Sequence, residues 1–245
     1  MVSVLPQLKE LKGVALDFLF PRFCVGCGKE GQYICDSCQS SLARIDAPVC
    51  PKCGKSLLFT SNSFEIDSLL CSGCVDWQAD IDAIRSPYRF EGVIRKAVHE
   101  FKYRNLRAIA RQLASLLSNY LVTADSMPGD VLVPVPLHSK RLRERGYNQS
   151  FLLAKELSNL TGLPVNDTCL ERNVYNVPQA KTRNVEERRL NVIGIFTCKN
   201  EDLRDKKVLL IDDVTTSGAT LNACASALKI AGAMSVCGLT LAREI

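Results

Sequence analysis

Residues 208–220 read Val-Leu-Leu-Ile-Asp-Asp-Val-Thr-Thr-Ser-Gly-Ala-Thr, and this segment constrains the fold more than any other. Residues 207–211 are a largely apolar strand that runs into Asp212. Residues 217–231 carry apolar side chains at helical spacing and are closed by Gly232. Where a strand gives way to a helix, the first helical N–H groups lack intrahelical partners and the helix dipole favours an anion. Thr215, Thr216, Ser217 and Thr220 add hydroxyl donors, and Gly218 lets the backbone come close to a ligand. Asp212 and Asp213 can accept hydrogen bonds from sugar hydroxyls. A helix cap needs one hydroxyl or carboxylate, so this many aligned polar groups point to a bound phosphate and ribose.

The rest of the chain from residue 79 alternates the two kinds of element. Residues 81–90 (with Pro87 near an edge), 130–136, 192–198 and 235–241 read as strands; residues 92–103, 106–121 and 148–160 read as helices. That alternation implies an α/β fold with a parallel sheet flanked by helices. Ligands of such sheets lie at the carboxyl ends of the strands, where Asp212 falls. Residues 79–245 hold 24 basic and 18 acidic side chains, a surplus that favours anionic partners, although a solvated surface would give the same count.

Residues 1–78 have a different texture. Cys24-Val-Gly-Cys27-Gly-Lys recurs as Cys50-Pro-Lys-Cys53-Gly-Lys, and each copy is followed by a second pair, Cys35/Cys38 and Cys71/Cys74. Little periodic apolar pattern fills the gaps, so the region needs a staple. A C-x-x-C turn sets two thiolates on one side of a knuckle, and two such turns make the tetrahedral set that Zn²⁺ takes in closed, structural sites. The repeat favours one ion on Cys24, Cys27, Cys35 and Cys38 and one on Cys50, Cys53, Cys71 and Cys74; interleaved pairing also fits the spacing. Two four-thiolate centres lower the region's net charge from −1 to about −5, which suits docking of a partner better than gripping nucleic acid. Cys169, Cys198, Cys224 and Cys237 are scattered and read as small core residues. Residues 7–18 read as an amphipathic helix with Leu8, Leu11, Ala15 and Phe18 near one face. Asp17 interrupts the apolar start, no secretory cleavage pattern follows, and no run approaches a membrane span, so the expected compartment is the cytoplasm.

These motifs together resemble the ComF family of competence and DNA-utilisation proteins, whose layout GntX shares. The carriers are the cysteine-rich start, Ile211-Asp-Asp-Val-Thr-Thr-Ser-Gly-Ala-Thr220, Val133-Pro-Val-Pro-Leu-His138, Arg141-x-Arg-x-Arg-Gly-Tyr-Asn-Gln149 and the stretch from Gln179 through Arg183, Arg189 and Asn191 to Phe196. The resemblance implies a type I phosphoribosyltransferase-like domain over 79–245 behind a small zinc-binding domain over 1–78. It implies that Asp212 and Asp213 hold the ribose hydroxyls of phosphoribosyl pyrophosphate, directly or through Mg²⁺. It implies that Val214, Thr215, Thr216, Ser217, Gly218, Ala219 and Thr220 cradle the 5′-phosphate. The loop after the 130–136 strand would contact pyrophosphate through Arg141, Arg143 and Arg145, whose guanidinium forks suit phosphate oxygens. Arg141 and Arg145, four apart, share a face if that stretch is helical. Asn148 and Gln149 are further candidates, although Asn148 can equally cap a helix. Gln179, Arg183, Arg189 and Asn191 would form a hood over the second substrate. Lys102-Tyr103 can face the site or simply lie on a helix surface.

Two functions are compatible with this reading. One is a phosphoribosyltransferase that joins a nucleophile to the ribose with loss of pyrophosphate. The other is a sensor or adaptor of DNA uptake that binds single-stranded DNA or a helicase-like partner. Tyr147 and Phe151 are the few aromatics near the basic stretch, which gives a stacking platform for single strands little support.

Overall fold

A computed structural model describes residues 21–57, 70–123, 127, 129–173 and 194–244. The amphipathic helix expected over 7–18 lies outside them, as do Gln179, Arg183, Arg189 and Asn191. The sheet is parallel, in the order β1 (Ala83–Arg85), β7 (Ser235–Arg243), β6 (Lys207–Thr215), β3 (Val131–Pro134). The strand expected over 81–90 is two short ones. β2 (Tyr88–Arg89) pairs with β7 beyond β1, and Ser86-Pro87 interrupts them because proline cannot donate to the ladder. β4 (Leu170–Arg172), which the sequence did not announce, pairs antiparallel with β5 (Phe196–Cys198) in a separate ribbon.

Helices cover both faces. On one face α3 (Gly92–Tyr103), α4 (Ala110–Thr123) and α6 (Gln149–Thr161) bury Phe101, Leu113, Leu117, Leu153 and Leu157 against Leu209 and Leu239. On the other, α7 (Ala219–Ile230) packs Leu221, Cys224 and Leu228 against Val208 and Leu210. Leu209 and Leu210 serve opposite cores because successive strand side chains alternate. Cys169, Cys224 and Cys237 are buried and Cys198 is half-buried.

The cysteine repeat is also a structural repeat. The Cys24 and Cys50 N–H groups donate to Lys29 and Lys55 at 2.8 Å. The Gly28 and Gly54 N–H groups donate to the carbonyls of Cys24 and Cys50, also at 2.8 Å. Both glycines have positive φ, 77° and 73°, which closes each knuckle without Cβ strain. The second pairs sit on short helices, α1 (Asp36–Ser40) and α2 (Ser72–Val75). The two copies attach to different faces. Ile34 and Leu42 join the α3/α4/α6 core, whereas Cys50, Cys53, Cys74 and Trp77 join the α7 core. Among the described residues no helix is long and apolar enough to cross a membrane.

Candidate functional site

The carboxyl ends of β3, β6 and β7 converge on one rim. β6 runs four residues further than the sequence suggested, because Val214 and Thr215 continue the ladder to Ala242 and Arg243. Asp212 and Asp213 therefore lie inside the strand, and strand alternation gives them separate partners. Asp212 Oδ1 accepts from Ser150 Oγ at 2.8 Å and from the Asp213 N–H at 2.9 Å. Burial, then the neighbouring Asp213 charge, pushes the Asp212 carboxyl up to about 6, against the opposing pull of Lys102 and those two hydrogen bonds. Asp213 is buried, and its Oδ1 meets Lys102 Nζ at 2.8 Å. Desolvation opposes the Lys102 charge most, but Asp213, with Asp212 and Tyr103 adding to it, holds the ammonium above the usual lysine range. Lys102 thus faces the site. Asp212 is the more open of the two carboxylates.

The loop after the acidic pair turns sharply. Gly218 is the N-cap of α7 with φ 80°, so the helix begins at Ala219 and not at Ser217. A Cβ at Gly218 would come within 2.6 Å of Ile84 Cδ1 and 3.2 Å of the Trp77 ring. Gly218 brings no side chain to cap the first turn of α7. The Ala219 N–H lies 3.4 Å from Ser217 Oγ. Thr216 is exposed, Ser217 and Thr220 are half-buried, and Thr215, Gly218 and Ala219 are buried.

After β3, the basic stretch forms α5 (Ser139–Arg145). His138 caps its start through Nδ1, and Gly146 ends it in the left-handed conformation. Arg141 and Arg145 are half-buried and Arg143 is exposed. All three line a cleft of about 640 Å³ together with Lys102, Tyr103, Arg107 and Tyr147. Arg145 donates to Gln149 Oε1 at 2.7 Å and lies 5.2 Å from the Tyr103 ring centre. Gln149 is buried. Asn148 caps α6, accepting from the Ser150 N–H at 3.0 Å and donating to the Val135 carbonyl. The capping role of Asn148 is thus the one its contacts show.

Each cysteine set closes on itself. The Sγ atoms of Cys24, Cys27, Cys35 and Cys38 lie within 4.8 Å of one another, as do those of Cys50, Cys53, Cys71 and Cys74. The Cys27–Cys35 and Cys53–Cys71 sulfurs are 3.6 Å apart, close to the ~3.8 Å edge of a tetrahedron with Zn–S bonds of about 2.3 Å. The Cys35 and Cys71 N–H groups point at the sulfurs of Cys24 and Cys50. Burial opposes ionisation of Cys24, yet the backbone N–H groups of Cys35, Cys27 and Gly26 bring it down to about 6. Its contact with Cys24, followed by burial, pushes Cys38 up to about 12. Four converging cysteine sulfurs are the donor set that Zn²⁺ takes, and the sets are sequential, not interleaved.

Comparison with known proteins agrees with this layout. Residues 15–75 match the double zinc ribbon domain and residues 148–244 the phosphoribosyl transferase domain. Competence protein ComFC of Bacillus subtilis is 32% identical over 223 residues, covering 88% of this chain and 86% of that protein. The chain belongs to the ComF family. Two further relatives are competence protein F of Haemophilus influenzae and DNA utilization protein YhgH of Escherichia coli K12. They are 29% and 27% identical over 81% and 83% of this chain, and over 85% and 87% of their own lengths. Among solved structures, glutamine phosphoribosylpyrophosphate amidotransferase from B. subtilis aligns with a TM-score of 0.38 and 20% identity over 55% of this chain and 26% of that one. Purine phosphoribosyltransferase from Pyrococcus horikoshii aligns with a TM-score of 0.34 and 17% identity, over 54% and 80%.

Three residues beside the candidate site carried weak signals in the sequence. Ser150 directly follows the Asn-Gln pair but is an ordinary helix residue by type. Arg172 sits on the unannounced β4, where burial and then the nearby Arg141 charge lower its pKa. Arg243 is a lone cation at the end of an apolar strand, and it is buried.

Proposed function

We propose that this ComF chain binds phosphoribosyl pyrophosphate with Mg²⁺ and transfers its phosphoribosyl group to a nucleophile. The observation that carries the reading is one rim that holds an acidic pair, a hydroxyl-rich loop at a helix start and a face of arginines. Asp212 and Asp213 serve the ribose 2′- and 3′-hydroxyls, with Lys102 paired to Asp213. Residues 214–220 take the 5′-phosphate. Arg141, Arg143 and Arg145 face the pyrophosphate, and Asn148 and Gln149 support that wall. The C1–O bond to pyrophosphate breaks as the bond from C1 to the nucleophile forms. The carboxylates stabilise the positive charge on the sugar, and the arginines stabilise the departing anion. Mg²⁺, when bound, neutralises pyrophosphate charge. The hood over the nucleophile belongs to the segment with Arg183. The division into residues 1–78 and 79–245 and a cytoplasmic setting are part of the same reading. The printed names of the relatives suggest that the activity serves competence or the use of imported DNA.

A second reading has its own observation. Tyr103 is 65% exposed at the mouth of the arginine-lined cleft, a pairing invisible in the sequence. A stacking face beside phosphate-binding cations suits single-stranded DNA, and the protein would then be an adaptor or sensor of DNA uptake, with the zinc region docking a helicase-like partner.

Calorimetric titration with phosphoribosyl pyrophosphate and Mg²⁺ decides between these. Binding that is lost in Asp212→Asn/Asp213→Asn supports the ligand site, and pyrophosphate release in a screen of bases supports turnover. Failure of the wild type to bind overturns the transferase and the sensor alike.

A further inference from the structure

Arg243 ends β7 with a side chain only 4% exposed. Its Nη1 donates to the Thr216 carbonyl at 2.9 Å, inside the loop read above as the 5′-phosphate cradle. Its Nη2 donates to the Cys53 carbonyl at 2.5 Å, on the knuckle of the second cysteine set. Among the described residues no carboxylate pairs with it. A buried guanidinium held only by carbonyls has no counter-charge beside it, and an unpaired buried charge is costly. Two anions would flank it: a four-thiolate metal centre of formal charge −2 and a bound phosphate.

Packing couples the same two places. Trp77, three residues after Cys74, lies against Gly218, and Lys52 Nζ donates to its carbonyl. The Ile84 N–H donates to the Lys52 carbonyl at 2.8 Å, and Ile84 Cδ1 is the other wall at Gly218. Gly54 sits so close to β1 that a Cβ there would come within 2.4 Å of the Ile84 carbonyl. The first cysteine set borders the site too, since Cys24 and Val25 line a cavity with Lys102 and Val214, but its hydrogen bonds run to α3 and α4. Lys96 of α3 reaches the Gly26 carbonyl, and Gln112 of α4 accepts from the Ile34 N–H.

We propose that Arg243 is a positioning residue through which the Cys50/Cys53/Cys71/Cys74 centre, and not the first, sets the loop's affinity for a phosphate monoester. The inference rests on residues 214–220 being a phosphate cradle. Metal on the second set fixes the Cys53 carbonyl, and Arg243 carries that order and its charge to Thr216. By linkage, phosphate in the loop favours metal on the second set to the same degree.

The test uses the full chain loaded with ¹¹³Cd²⁺, which gives one resonance per cysteine set, the second assigned by its loss in Cys71→Ser. Ribose 5-phosphate should move that resonance and leave the other in place. Arg243→Met should abolish the movement and weaken ribose 5-phosphate binding at least about five-fold. Arg243→Lys, which keeps the charge and one hydrogen bond, should recover part of both effects and carries the test if the methionine variant misfolds. An unmoved resonance, or unchanged affinity in folded Arg243 variants, overturns the coupling while the phosphate reading stands. A wild type that does not bind ribose 5-phosphate overturns both.

Discussion

Lys102 Nζ lies 2.8 Å from Asp213 Oδ1, at the junction of α3 and β6 where both side chains are largely out of solvent. The pair joins the end of a helix to the acidic strand and leaves Asp212 as the freer carboxylate. Lys102→Met keeps the aliphatic stem but strands Asp213 as a buried, unpaired charge. The expected loss is about 3 kcal/mol of unfolding free energy. Urea unfolding at pH 7 measures it; a loss below about 0.5 kcal/mol would mean that the pair is a surface contact in disguise.

Asp212 predicts a pH dependence with a defined sign. Its folded pKa, about 6, is raised above the ordinary carboxylate value of 3.8. The unfolded chain therefore ionises first, and stability is lost as pH rises from about 4 to about 6, then levels off. Asp212→Asn should remove that slope and be more stable than wild type above pH 6. Mg²⁺-dependent ligand affinity should rise through the same window, since the carboxylate form is the one that serves. Thermal unfolding from pH 4 to 8 checks the first part, and a wild-type profile without that slope refutes it.

At Gly218 both space and backbone forbid a side chain. Gly218→Ala should cost about 2–3 kcal/mol, since it adds a clash with Ile84 and Trp77 to left-handed strain. Gly162→Ala shares the positive φ, 77°, but meets no atom within 4 Å, and should cost only about 1 kcal/mol. Equal costs for the two, by denaturant unfolding, would show that packing at Gly218 is irrelevant.

Two cysteine sets predict two equivalents of zinc per chain. Cys27→Ser and Cys71→Ser should each hold about one, because each loses one ligand of a four-ligand set. Elemental analysis of dialysed protein measures this, and a single equivalent in the wild type refutes the double site. Chelation should destabilise the whole fold, since Cys50, Cys53 and Cys74 are part of the α7 core.

The half-buried arginines should discriminate between ligands. Arg141→Ala/Arg145→Ala should weaken phosphoribosyl pyrophosphate at least about ten-fold while affecting ribose 5-phosphate much less, because only the former carries the diphosphate. Exposed Arg143→Ala should do less. Parallel losses for both ligands would remove these arginines from the pyrophosphate wall.

Much of this was legible in the residues. The apolar run before Asp212 and the duplicated cysteine unit are local patterns with their expected local form, and the hydroxyl turn is present but tighter, from Thr216 to Gly218. The extent of β6 was not legible. Asp212 and Asp213 look like a strand terminator by composition, and only pairing with β7 carries the strand through them. β4 was missed because three residues give too little periodicity to read.

The sequence by itself determined the chemistry on offer: an acidic pair, a loop able to take phosphate, a basic helix and two four-thiol sets. Local spacing decides such things, and spacing is written in the chain. The tertiary structure alone decided who meets whom. Lys102 reaches Asp213 across 111 positions, and Arg243 spans 190 positions to Cys53 and 27 to Thr216. These contacts exist because the two cores form on opposite faces of one sheet, and no short-range pattern encodes which side chains that burial brings together.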